Sequence, residues 1–217
     1  LLNKNQLLSK EITKTILILN KIGSDLRNKR IRKGSILFNK KEVKFILNKQ
    51  KEPLKTEIKE SKESNKLVEE FMLLANKKVA ELFSKHKKSE NIYRVHDLPN
   101  EEKITALERI TKNLGYNIKF DNYKNIHQNI NNLLNKVDNT PEKNLVDTLV
   151  IRCMSKAKYS TKNIGHFGLS FEKYTHFTSP IRRYPDVIVH RNLQNLLINN
   201  QKTIKSLEDN CIYLSSR

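Results

Sequence analysis

The sequence predicts an α+β fold in which helix predominates and the strands are short and antiparallel. Three observations carry that expectation. Apolar residues recur at helical spacing through most of the chain. A few apolar runs with partial alternation sit between turn-forming residues, as strands do. The 217 residues suffice for one domain with a real core, and no Gly/Ser-rich or Pro-rich linker or internal repeat divides them.

From Ser9 to Arg30, Ile12, Ile16, Leu19, Ile22 and Leu26 fall on one side of an amphipathic helix, broken at Gly34. Ser35–Phe38 and Val43–Leu47 read as strands, with a turn over 49–53 and a returning strand over Leu54–Ile58. Asn65 begins a strong helix to about His86, with Leu67, Phe71, Leu74, Ala75, Val79, Leu82 and Phe83 as its apolar face. Ile92–Val95 reads as a strand. Pro99 to Leu114 reads as a helix, stopped by Gly115. Tyr116–Phe120 reads as extended, and Asn125–Val137 as helical. Thr140 suits an N-cap and Pro141 the first position of a helix running to about Ser155. A last helix begins near Ser206.

Lys and Arg total 42 against 23 Asp and Glu, a net charge of +19. Such an excess calls for an acidic partner, and nucleic acid is the commonest. Lysine far outnumbers arginine, so compositional bias accounts for part of it. Cys153 and Cys211 lie far apart without metal-ligand spacing, which implies a reducing compartment. With no apolar run of about 18 residues and no signal-peptide layout, the chain reads as soluble and cytoplasmic, with no membrane partner. It begins with Leu1 rather than methionine, which reads as a fragment.

One stretch departs from this background. Residues 165–191 hold two of the five glycines, two of the five prolines and three of the six histidines. Within it, Thr178-Ser179-Pro180-Ile181-Arg182-Arg183-Tyr184-Pro185-Asp186 sets two guanidinium forks on a loop stiffened by Pro180. Pro185 and Asp186 suit the first turn of a helix, which would bury Val189, Leu193, Leu196 and Leu197. A rigid loop with two arginines beside a helix start reads as a phosphate site. Asp186 and His190 are four apart and share a face, which suits an orienting contact, with Arg183 as its object. His166 and His176 lack zinc spacing and read as packing residues.

The pattern H-F-G-L-x4-Y-x-x-F-T-S-P-I-R-R-Y-P-D-x3-H-R over Gly165–Arg191 resembles the signature of the ribonuclease II/ribonuclease R family, in its ribonuclease R branch. Leu67-Val68-Glu69-Glu70-Phe71-Met72-Leu73-Leu74-Ala75-Asn76 resembles a second family segment, and Tyr93-Arg94-Val95-His96-Asp97 more loosely a third. Order and spacing fit across nearly the whole chain. The resemblance implies an RNB-type catalytic domain, present over 1–217 only in its C-terminal part. It also implies a 3′→5′ exoribonuclease that hydrolyses single-stranded RNA to nucleoside 5′-monophosphates.

Residue roles follow from the resemblance. Arg182 corresponds to the family's arginine against the scissile phosphate and is the catalytic candidate. One glutamate of the pair Glu69 and Glu70 holds the 3′-terminal nucleotide; the sequence does not choose between them, and both also fit as dipole-compatible charges one turn into a helix. Arg183 contacts either the RNA backbone or an adjacent carboxylate. Ser179 and Tyr174 hydrogen-bond substrate or shape the loop, with Tyr174 leaning to shape. The family's Mg²⁺ ions sit in an acidic D-x5-D-x-D-D cluster, which this chain lacks; its seven aspartates are scattered singly. No metal ligand is therefore assigned here, and the segment alone is expected to be inactive. Its implied partners are single-stranded RNA, the upstream catalytic segment, and the cold-shock-type and S1-type domains of the full protein. The alternative is a non-catalytic RNA-binding subunit with a degenerate RNB fold.

Overall fold

The computed structural model describes residues 9–38, 42–59, 62–86, 91–120, 125–198 and 206–216. Leu1 and Asp121, one of the seven aspartates, lie outside them. In order come helix α1 (Lys10–Arg32), strands β1 (Glu42–Leu47) and β2 (Pro53–Lys59), helix α2 (Glu63–Lys85), strand β3 (Tyr93–Val95) and helix α3 (Glu101–Asn113). Then follow α4 (Ile126–Lys136), α5 (Lys143–Cys153), β4 (Lys158–Ser160), a 3-10 turn at Phe167–Leu169, α6 (Tyr184–Leu197) and α7 (Leu207–Ser216). The expected class, helix-rich with short antiparallel strands, is what the structure has. β1 pairs antiparallel with β2, and β3 antiparallel with β4.

The chain forms two compact units, residues 1–29 with 37–71, and residues 30–36 with 72–217. In the first, the β1–β2 hairpin turns through Asn48, whose side chain accepts from the Glu52 amide at 2.9 Å and donates to the Glu52 carboxylate at 2.8 Å. The buried stripe of α1 differs from the expected one. Ile12, Leu19 and Ile22 are exposed, while Gly23 is buried. The cause is close packing: a Cβ on Gly23 would lie 3.1 Å from Leu67 Cδ1, so this turn of the helix, not the more apolar one, lies against α2.

In the second unit, Phe83 of α2, Ile92, Ile188 and Val189 of α6, and Leu207 and Cys211 of α7 form one buried cluster, with Tyr159, Phe177, Leu193 and Leu196 packed on it. Full burial of a side chain such as Phe83 or Ile188 stabilises by roughly 1.5–3 kcal/mol. Leu197, expected on this face, is exposed. A second layer holds Ile104 and Leu107 of α3, Ile130, Leu133 and Leu134 of α4, and Val146 and Val150 of α5. Asn100 caps α3, its side chain accepting from the Lys103 amide, and the chain leaves that helix through Gly115 at φ +89°.

Two local expectations are corrected. Ser35–Phe38 is not a strand; its backbone meets a loop instead, the Ile36 amide donating to the Gly168 carbonyl at 3.0 Å. Helix α5 starts at Lys143, not at Pro141; the Thr140 hydroxyl donates back to the Val137 carbonyl at 3.1 Å and accepts from the Tyr116 hydroxyl at 3.4 Å. Tyr116–Phe120, read as extended, is neither helix nor paired strand among the described residues.

Candidate nucleic-acid interface

The stretch that stood out in sequence is almost devoid of regular structure until α6, so its backbone polar groups need partners from elsewhere. The Phe177 and Thr178 amides both donate to Asn76 Oδ1 on α2, at 2.9 and 3.1 Å. The Ser179 amide donates to Asp186 Oδ1 at 2.8 Å. The Ser179 carbonyl then accepts from the Arg182 and Arg183 amides at 3.3 and 3.1 Å, closing a tight turn over Pro180 and Ile181. Ile181 is fully exposed at the tip.

The turn sends its two arginines in different directions. Arg183 lies inward, its guanidinium 2.8 Å from Asp186 Oδ1, and Asp186 is 0% exposed. Arg182 is exposed, its guanidinium clear of the ion pairs found among the described residues. Pro185 occupies the first turn of α6, as its missing N–H allows. Of the Asp186–His190 pair expected to orient Arg183, Asp186 does so, whereas His190 turns away from both. His190 Nε2 instead bonds the Phe177 carbonyl at 2.9 Å, and its ring stacks on Phe177 with centroids 4.0 Å apart. Tyr174 is buried, its hydroxyl accepting from Asn76 Nδ2 at 3.1 Å.

The motif around Tyr93–Asp97 builds the other side. The His96 amide donates to the Gly165 carbonyl, the Phe167 amide to the His96 carbonyl, and the Gly168 amide to His96 Nδ1 at 3.1 Å. A Cβ at Gly168 would stand 3.0 Å from that nitrogen, so a larger residue there would make the His96 ring give by a few tenths of an ångström. His166 Nδ1 accepts from the Leu169 amide, and its ring sits edge-on to His96 and Tyr174. Burial, with His96 and Arg94 adding to it, pushes the His166 imidazole down to about 3. His176 bonds the Tyr159 hydroxyl at 2.8 Å. Burial also holds it down, to about 4; Arg183, Arg94 and Arg182 push the same way and Asp186 opposes. Three arginines against one carboxylate leave this end of the unit positive. Arg94 also lies over the Tyr159 ring, 4.6 Å from its centroid.

Glu69 and Glu70 lie on α2 in the first unit, Glu69 exposed and Glu70 3% exposed. The helix begins at Glu63, so the pair sits nearly two turns inside, beyond the first turn where the dipole acts. The helix dipole therefore does not account for their placement. Among the described residues no three of His, Cys, Asp or Glu come together as a set able to hold a metal ion. No helix among them is long and apolar enough to cross a membrane.

Asn76, Arg94 and Tyr159 bond or pack around the same loop and its histidines, and the sequence reading gave them no role. A signal for Asn76 existed. The fully buried stripe of α2 runs Glu70, Leu73, Asn76, Ala80, Phe83, and a polar residue at helical spacing on a buried face marks a hydrogen-bonding task.

Residues 1–199 match the RNB domain family. The chain belongs to that family. Ribonuclease R of Aquifex aeolicus is 40% identical over 196 residues, covering 88% of this chain and 28% of its own length. The solved structure of Mycoplasma genitalium RNase R in complex with ribose methylated single-stranded RNA aligns with 98% of this RNB segment at a TM-score of 0.84 and 24% identity, covering 34% of that chain. Yeast Ssd1, a pseudonuclease, aligns with 72% of it and 19% of its own chain at a TM-score of 0.58 and 23% identity. The segment spans about a quarter of the length of the curated relatives it matches.

Proposed function

We propose that this segment supplies the phosphate-binding wall of a cytoplasmic 3′→5′ exoribonuclease that hydrolyses single-stranded RNA to nucleoside 5′-monophosphates. The observation that carries the reading is the exposed Arg182 on a turn whose backbone is pinned from within. A guanidinium fixed in place stabilises charge that develops on a phosphoryl group without reorganising during the reaction. Arg183, bound to Asp186, keeps the turn closed and adds to the positive field. Ser179 starts the turn, and the buried Tyr174 supports it from behind. One of Glu69 and Glu70 holds the 3′-terminal nucleotide. Family membership and relatives named ribonuclease R support the reaction class.

Mg²⁺ belongs to the full enzyme in this reading, on ligands outside this chain. Arg182→Ala, in a full-length enzyme carrying this segment, should lower kcat about 100- to 1,000-fold with a much smaller change in RNA affinity. Arg182→Lys should recover little, because an ammonium lacks the planar fork. A loss confined to binding would make Arg182 an anchor and not a catalytic residue. The segment alone should release no nucleotide from labelled single-stranded RNA with Mg²⁺ or Mn²⁺.

The second reading is an RNA-binding subunit that has the fold without the chemistry. The resemblance to a pseudonuclease at a TM-score of 0.58 favours keeping it, and a full-length protein that binds RNA yet hydrolyses none would establish it.

A further inference from the structure

We infer that Asn76 is a positioning residue for the arginine turn: its buried carboxamide fixes the backbone at Phe177 and Thr178 and thereby aims Arg182. Its role rests on the proposed role of Arg182. Asn76 is 3% exposed and lies about a hundred residues from its partners in sequence. Two backbone N–H groups converge on one of its side-chain atoms, at 2.9 and 3.1 Å, which only the oxygen can accept. The NH₂ end is then committed to the Tyr174 hydroxyl at 3.1 Å. The orientation of the amide is thus set from both ends.

The consequence for the loop is geometric. The amides of 177, 178 and 179 are successive, and each is captured by a buried side chain, two by Asn76 and one by Asp186. The Phe177 carbonyl is held by His190. These bonds stand in for the helix or strand pairing that this stretch lacks. The Ser179 carbonyl, which closes the turn onto the Arg182 and Arg183 amides, is one peptide beyond the pinned segment. Without the Asn76 oxygen the 177–178 peptide is free to rotate. The turn would then carry Arg182 with it, while Arg183 stays tied to Asp186. A displacement of about 1 Å at a reacting group can cost about 100-fold in rate. Asn76 itself is buried and touches no substrate, so its effect passes through Arg182.

The test is a double-mutant cycle of Asn76→Leu and Arg182→Ala in a full-length enzyme carrying this segment, read by steady-state kinetics on single-stranded RNA. Asn76→Leu should lower kcat about 10- to 100-fold with KM within about threefold. In the Arg182→Ala background the same substitution should cost less than about threefold more, because residues acting as a unit are non-additive. Asn76→Asp keeps the shape and the acceptor, and Tyr174 can donate to it, so it should recover kcat to within about fivefold. Should Asn76→Leu not fold, Tyr174→Phe releases the NH₂ end and should give a kcat loss of about 3- to 10-fold, again absent in the Arg182→Ala background. Equal losses in both backgrounds, or wild-type kcat in Asn76→Leu beside a strong Arg182→Ala defect, would overturn the positioning role alone. A neutral Arg182→Ala would instead overturn the reading of Arg182.

Discussion

The arginine turn and the β1–β2 hairpin are both surface reversals of the chain, and they are held in opposite ways. The hairpin satisfies itself. Its strands pair over Glu42–Leu47 and Pro53–Lys59, and its turn closes on Asn48 and Glu52 four residues apart. The side chains of Val43, Phe45 and Leu47 are exposed, Phe45 to 59%. The arginine turn has no ladder. Asn76 on α2 and Asp186 on α6 hold its amides, and both are nearly or fully buried. The difference teaches where each is vulnerable. A self-paired hairpin tolerates remote change, while an irregular loop pinned by buried polar groups fails when one of those groups is lost.

The largest effect that separates the two should come from Asp186→Ala. It leaves the Arg183 guanidinium and the Ser179 amide without their shared acceptor in a buried setting. Breaking a buried pair in this way costs about 3–5 kcal/mol, measurable by urea titration of the protein. A loss below about 1 kcal/mol would mean that solvent replaces the carboxylate, and the turn is no more protected than the hairpin.

Acid should act next, and only on one of the two regions. His166 and His176 are held down to about 3 and about 4 from an ordinary 6.5. Both groups are neutral in the fold at pH 7. Below pH 6.5 the unfolded chain takes up protons that the folded chain refuses, so stability falls as pH drops from 6.5, the loss levelling off near 4 for His176 and near 3 for His166. At pH 5 each histidine should cost up to about 2 kcal/mol. The hairpin, residues 42–59, contains no histidine. Thermal unfolding at pH 7 and pH 5 should therefore differ, and His176→Phe should reduce the difference. An unfolding midpoint independent of pH over this range would contradict the buried, neutral state of both rings.

The smallest change is expected in the hairpin. Asn48→Ala removes exposed local hydrogen bonds and should cost about 0.5–1.5 kcal/mol, and Phe45→Thr should stay within about 0.5 kcal/mol. Denaturant midpoints check both. A Phe45→Thr loss as large as that of Asp186→Ala would mean the hairpin face is covered in the protein tested.

Much of this was legible in the sequence, for reasons that differ by element. Helices α2, α3, α4 and α6 announced themselves through apolar spacing and through Gly115 and Pro185, which are local devices that need no distant partner. The hairpin was legible for the same reason. The T-S-P-I-R-R-Y-P-D run marked the candidate interface, since prolines and paired arginines constrain backbone and chemistry within a few residues. Spacing offered Asp186 as a partner for Arg183 but left the RNA backbone open as the alternative, and the structure decided for the carboxylate. Tertiary structure alone decided that Ser35–Phe38 is a loop and that α1 turns Gly23, not Ile22, to its neighbour. It also decided that His190 serves the Phe177 carbonyl instead of Asp186. Each of these is set by a partner far away in sequence, and periodicity counts apolar residues without saying what they face. Asn76 is the clearest case. In sequence it is the last letter of a motif, and only when the chain brings Phe177 and Thr178 to α2 does its amide acquire a task. An amide N–H outside helix and sheet must find its acceptor wherever the fold provides one, and that acceptor is the part no local pattern encodes.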